Sequence, residues 1–212
     1  MMDVRTFARR RLDGAYEVDE WGLDPDLIDL VSPLFALRYA IEVVDRATIP
    51  EDGGVLLVSS CRLGLSERFV LARGIRLATG RQVRMTGAPD VAPIGTALRR
   101  LGGVLERPDE VAGLLRDGQV VGVSLGSSLR RHHAGTISEE LVAPALSTRA
   151  LVVPVAVIGR ELGRRWRVLV GAPVELPTTR GPLAAAELAE RARAGVQALL
   201  DDAYPPSLFR MA

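Results

Sequence analysis

Residues 55–68 read VLLVSSCRLGLSER and decide the fold, because an apolar strand there leads directly into a helix. Four consecutive apolar residues, Val55 to Val58, predict a strand that is buried on both faces. Apolar residues at helical spacing then predict a helix over residues 65–79. In an open α/β sheet, ligands bind beyond the carboxyl ends of the strands. Residues Ser59 to Arg62 are therefore expected to lie where a ligand would bind.

The rest of the chain alternates short apolar runs with helical patterns, which predicts a mostly parallel, twisted sheet flanked by helices. Pro33 is expected to break or kink a helix that begins at Asp24-Pro25. Further strands are predicted at residues 39–44, 82–85, 104–105, 119–123, 150–158, 166–170 and 174–176.

Length and composition fit a single α/β domain. The chain has 212 residues, of which 48% are hydrophobic, so it can bury a core of ordinary size. We assign residues 24–204 to the domain, residues 1–23 to an N-terminal arm and residues 205–212 to a C-terminal tail.

Charge and residue counts exclude several classes of function. The 27 basic and 26 acidic residues leave a formal charge of +1, which argues against a nucleic-acid-binding surface. One cysteine and two histidines argue against a metal site. The sequence has no phosphate-loop or dinucleotide-binding motif, so we expect no cofactor. No apolar run approaches the length of a transmembrane helix, so we expect a cytoplasmic protein. A group of N-terminal arginines is a candidate for peripheral contact with the inner face of the membrane: Arg5, Arg9, Arg10 and Arg11.

Three blocks of sequence resemble the glycerol-3-phosphate and lysophosphatidate acyltransferases. PIGTALRRLGGV at 93–104 is similar to that family's second block, VPVAVIG at 153–159 to its last block, and VLVGAPV at 168–174 to the strands that follow. The resemblance covers roughly residues 43–176 and is closest to actinobacterial members without transmembrane helices. It implies the family's α/β fold and two substrates. These are an acyl thioester, of coenzyme A or of acyl carrier protein, and a glycerolipid whose hydroxyl receives the acyl chain.

The blocks that carry the family's chemistry are replaced in this chain. The family has His-x4-Asp directly after its first buried strand, where the histidine deprotonates the acceptor hydroxyl and the aspartate orients the imidazole. The histidine position falls on Cys61, and the aspartate position falls on Ser66, or on Glu67 or Arg68 if the loop is of the longer type. In the third block, Leu125 replaces a glutamate. The resemblance therefore implies a member without the family's base, with Cys61 and Glu67 at degenerate catalytic positions.

Further residues are candidates for substrate binding. The Gly126-Ser127-Ser128 turn follows a buried strand and could hold a phosphate through its backbone N–H groups, although an ordinary turn has the same pattern. Arg107 lies near the place of the family's phosphate-contacting arginine. An arginine next to Cys61 could lower the pKa of its thiol. The candidates are Arg62, Arg107, Gly126, Ser127 and Arg130.

Two functional hypotheses follow. The first is a protein without catalysis that retains the groove and binds an acyl thioester or a lipid, or acts as a partner of another protein. A purely structural subunit differs from it only in having a filled groove. The alternative is an active acyltransferase with relocated residues, which uses Cys61 as the acyl acceptor or His132 or His133 as the base. Free cysteines are typically small buried apolar residues, which favours the first hypothesis.

Overall fold

The structure is a computed structural model that describes residues 4–45, 48–61, 66–126, 133–179 and 181–204. The strands are β1 (Ala40–Val44), β2 (Val55–Ser59), β3 (Val83–Thr86), β4 (Gly103–Val104), β5 (Val120–Ser124), β6 (Leu151–Ile158) and β7 (Arg165–Val170). The helices are α1 (Val4–Leu12), α2 (Pro25–Arg38), α3 (Ser66–Thr79), α4 (Ile94–Arg100), α5 (Pro108–Arg116), α6 (Glu139–Thr148) and α7 (Pro182–Ala203).

The strands form one sheet in the order β1-β7-β6-β2-β5-β3-β4. Neighbouring strands are parallel except for β6 and β7, which form an antiparallel pair. The apolar strand β2 lies at the centre, between β5 and β6, and each of its residues is buried. One face of the sheet packs on α3 and the other on α5, α6 and α7. The structure therefore confirms the predicted single α/β domain with a mostly parallel sheet.

Two local predictions need correction. Helix α2 continues through Pro33, so the proline does not break the helix, which was one of the two expectations for it. None of the residues of α2 is buried, so water can reach the carbonyl group that loses its intrahelical bond at the proline. The strand predicted at 174–176 is reduced to one bridge between Val174 and Val152. Proline residues at 173 and 177 flank this segment, and a proline cannot donate to a ladder.

The N-terminal arm packs against the domain. Arg10 and Arg11 form ion pairs with Asp26, at 2.7 Å, and with Asp24. These contacts engage two of the four arginines that were candidates for membrane contact. No helix among the described residues has the length and hydrophobicity that crossing a bilayer requires.

The segment between α1 and α2 is also fixed. The ring of Trp21 lies against Gly113 of α5, where a Cβ would clash with it, and its Nε1 donates to Asp117 Oδ2 at 2.8 Å. Asp19 forms an ion pair with Arg84, which is 2% exposed in β3. The arm is thus held to the sheet by an aromatic contact and a largely buried ion pair.

Candidate functional site

Backbone pairing continues past the end of β2 and holds the next residues at the carboxyl edge of the sheet. The N–H of Ser60 donates to Val155 O at 3.0 Å, and the N–H of Val157 donates to Ser60 Oγ at 2.9 Å. Both bonds tie Ser60 to β6. Cys61 follows directly, so it lies where a ligand is expected in this kind of fold.

The thiol of Cys61 is half-buried beside two charged residues of α3. Burial raises its pKa above the ordinary value, and the carboxylate of Glu67 raises it further. The guanidinium of Arg68 acts in the opposite direction through its charge and a hydrogen bond to the thiol, and it also donates to Gly87 O at 3.3 Å. Because the net shift is upward, the thiol is protonated at neutral pH. A protonated thiol is neither a base nor an activated nucleophile.

We predict that Cys61 reacts with iodoacetamide only as the pH rises well into the alkaline range. Glu67→Gln removes a charge that disfavours the thiolate, so it should shift the midpoint of the rate profile to lower pH. Arg68→Gln removes a charge that favours the thiolate and should shift the midpoint to higher pH. The rate would be followed by mass spectrometry across a pH series. A midpoint at or below that of a free cysteine peptide would contradict this account.

Ser66, which was expected at the family's aspartate position, begins α3 and contacts a carboxylate from a distant segment. Its N–H and its hydroxyl both donate to Glu161 Oε1, at 3.1 and 2.7 Å. The hydroxyl of Tyr39 lies 2.9 Å from Ser66 Oγ. Glu161 belongs to the loop between β6 and β7, 95 residues away in sequence. The sequence carries no local signal for this contact, and neither Glu161 nor Tyr39 was a candidate.

The backbone N–H groups of Leu125 and Gly126, just after β5, already donate within the protein. The N–H of Gly126 donates to Thr136 O at 2.6 Å, and that of Leu125 donates to Ser59 O at 2.9 Å. A Cβ at Gly135 would clash with Gly126 O, so only glycine fits this close approach. A phosphate at this turn would therefore need N–H groups from residues beyond Gly126.

The side chain of Leu125, which was expected at the position of the family's third-block glutamate, lies in the core. Leu125 is buried in the apolar cluster on the α5–α7 face of the sheet, together with Val123 and Ala134. Its burial gives the chain a packed apolar group at this position rather than a carboxylate.

The remaining candidates lie apart or outside the described residues. Arg107 lies at the N-cap position of α5 without a capping hydrogen bond from its side chain, and it forms an exposed ion pair with Asp90 at 3.1 Å. His133 is exposed, and its Nδ1 lies 2.6 Å from Ala134 O. Among the described residues, no three metal-ligating side chains come together. The candidates that fall outside the described residues are Arg62, Ser127, Arg130 and His132.

A cavity of about 50 Å³ lies between α2 and α3, away from this edge. Its walls include Ile28, Phe35 and Phe69, and Arg73 and Arg76 also line it. A volume of this size holds a few water molecules, so it does not provide a site for a fatty acyl chain.

The curated relatives of this chain include uncharacterized mycobacterial proteins. No family model matches the chain. It is 29% identical to an uncharacterized protein of Mycobacterium tuberculosis, over 74% of this chain and 49% of that protein. It is 27% identical to an uncharacterized protein of Mycobacterium leprae, over 74% of this chain and 48% of that protein. The chain therefore spans about half the length of the curated relatives it matches.

A solved structure is similar over most of the chain. The 1-acyl-sn-glycerophosphate acyltransferase PlsC of Thermotoga maritima superposes with a TM-score of 0.54 and 17% sequence identity, over 92% of this chain and 84% of that chain. At this identity the likeness concerns the fold alone. The chain thus has an α/β fold similar to that of this acyltransferase.

Proposed function

We propose that the chain is a protein of the glycerolipid acyltransferase type that binds an acyl thioester or a glycerolipid without the family's base. The observation that carries the proposal is that a half-buried thiol, that of Cys61, and no imidazole follows β2 at the carboxyl edge of the sheet. Its pKa is raised by burial and by Glu67, so it cannot take a proton from an acceptor hydroxyl at neutral pH. The similar fold of the Thermotoga maritima enzyme supports the acyltransferase type.

In this proposal the ligand lies at the carboxyl edge of the sheet, within the acyltransferase-like domain of residues 24–204. The acyl donor is a thioester of coenzyme A or of acyl carrier protein. The phosphate of the acyl donor or of the glycerolipid would be bound by Arg107, together with residues outside the described ranges: Arg62, Ser127 and Arg130. Arg107 is suited to this because an exposed ion pair contributes little and is readily exchanged for a phosphate. A non-catalytic partner of an active acyltransferase would use the same site on the cytoplasmic side of the membrane.

The alternative is an active enzyme with relocated residues. The buried Glu67 carboxylate close to the thiol favours it, because a carboxylate can serve as a general base. Glu67 would take the thiol proton while the Cys61 sulfur attacks the thioester carbonyl. The thiolate of coenzyme A would then leave and receive a proton.

Native mass spectrometry with palmitoyl-CoA tests the proposal. We expect an adduct with the mass of the intact thioester that disappears on denaturation, and a weaker adduct with coenzyme A alone as the control. The absence of any adduct would contradict the proposal. A covalent gain of one palmitoyl group that is lost in Cys61→Ser would support the active enzyme instead.

A further inference from the structure

Three exposed leucines lie at the end of α2 and on the adjacent hairpin. Leu34 and Leu37, on the last turns of α2, are 67% and 73% exposed, and Leu162, between β6 and β7, is 95% exposed. Single exposed leucines are ordinary on a protein surface, but leucines grouped on one face indicate a binding surface. We call Leu34, Leu37 and Leu162 the leucine face.

Hydrogen bonds hold the parts of this face together. Arg38, which follows Leu37 in α2, donates to Gly163 O at 2.7 Å and to Glu161 O at 2.5 Å. These carbonyl groups flank Leu162, so its position next to the end of α2 is fixed. Leu37 and Arg164 also line the same shallow hollow, which has a volume of about 520 Å³.

The surroundings of the leucine face carry positive charge. Arg160, Arg164 and Arg165 are exposed, and none of them takes part in an ion pair within the described part of the chain. Two acids lie nearby. Asp29 pairs with Arg76 at 2.8 Å, and Glu161 accepts hydrogen bonds from Ser66, a neutral donor that leaves the carboxylate charge in place. The three arginines on the hairpin of Leu162 outnumber Glu161, so the hairpin carries a net positive charge.

We propose that the leucine face docks on an anionic lipid bilayer. The leucines enter the boundary between head groups and acyl chains, and the arginines contact lipid phosphates. The positive charge of the arginines favours an anionic bilayer over a second copy of the chain as the partner of this face. In a symmetric dimer, each copy would place its arginines against those of the other, which repel one another. An anionic membrane attracts the same arginines.

This surface differs from the N-terminal arginines, of which Arg10 and Arg11 are already paired with Asp26 and Asp24. The leucine face adjoins the candidate site, because Glu161 of the same hairpin contacts Ser66 at the start of α3. Its role as the membrane contact of a lipid-binding protein rests on the proposed function. Vesicles that contain no acyl donor and no lysophospholipid test it separately.

Flotation of the full chain with vesicles tests the proposal. We expect binding to vesicles of phosphatidylcholine and phosphatidylglycerol, little binding to phosphatidylcholine alone, and weaker binding at high salt. The double variant Leu37→Asp/Leu162→Asp should lower the partition coefficient at least about tenfold. Changing Arg160, Arg164 and Arg165 to glutamine should lower it by about fivefold for each arginine.

The matched control is Leu183→Asp. Leu183 is 74% exposed at the start of α7, which packs on the opposite face of the sheet from α3. This variant should bind vesicles like the unchanged chain, and equal melting temperatures would show that all variants are folded. No vesicle binding by the unchanged chain, or equal binding by the double variant, would overturn the proposal. The proposal would also fail if light scattering showed that the unchanged chain is a dimer and the double variant a monomer, and if the unchanged chain did not bind vesicles.

Discussion

Replacing Asp19 with asparagine is expected to lower the free energy of unfolding by about 3 kcal/mol. The partner of Asp19 is Arg84, which is 2% exposed in β3, and no hydrogen bond reaches Arg84 Nε or Nη1 among the described residues. Removing the carboxylate charge leaves a guanidinium buried without a counter-charge. Asparagine keeps an oxygen for the N–H groups of Trp21 and Leu23, which donate to Asp19 Oδ1, so the turn itself should persist.

Urea unfolding followed by circular dichroism would measure this effect. The control is Asp13→Asn, which breaks an exposed pair with Arg9 and should change stability by less than about 1 kcal/mol. The double variant Asp19→Asn/Arg84→Met should recover most of the loss, because it also removes the buried charge. If Asp19→Asn were as mild as Asp13→Asn, the ion pair would not hold the arm to the sheet.

The sheet could be predicted from the sequence because its strands have strong local signals. Val55 to Val58 form a continuous apolar run and are fully buried, as expected for a central parallel strand. The other predicted strands lie within one residue of their observed bounds, apart from 174–176. Strand order and register have no local signal. That Ser59 lies opposite both Ser124 and Val155 follows from pairing between distant segments.

The candidate site was only partly predictable for the same reason. The sequence placed Cys61 at the carboxyl edge of the sheet, and it singled out Arg62 as the cation that could lower the pKa of the thiol. Among the described residues, Arg68 is a cation that acts on the thiol, and burial together with Glu67 outweighs it, whereas Arg62 lies outside the described residues. How deeply the thiol is buried depends on packing around the whole edge. The contact between Glu161 and Ser66 likewise depends on the fold.

An acyl-transfer assay with palmitoyl-CoA and lysophosphatidate is the most direct test of the central claim, that this chain lacks the family's base. A positioned general base contributes about 10²- to 10⁴-fold to such a reaction. We therefore expect turnover at least about 100-fold below that of the Thermotoga maritima acyltransferase, measured as phosphatidate formed in the presence of anionic vesicles. Cys61→Ser and Glu67→Gln should leave this residual rate unchanged. Rapid formation of phosphatidate that either substitution abolishes would contradict the account and identify the relocated catalytic residue.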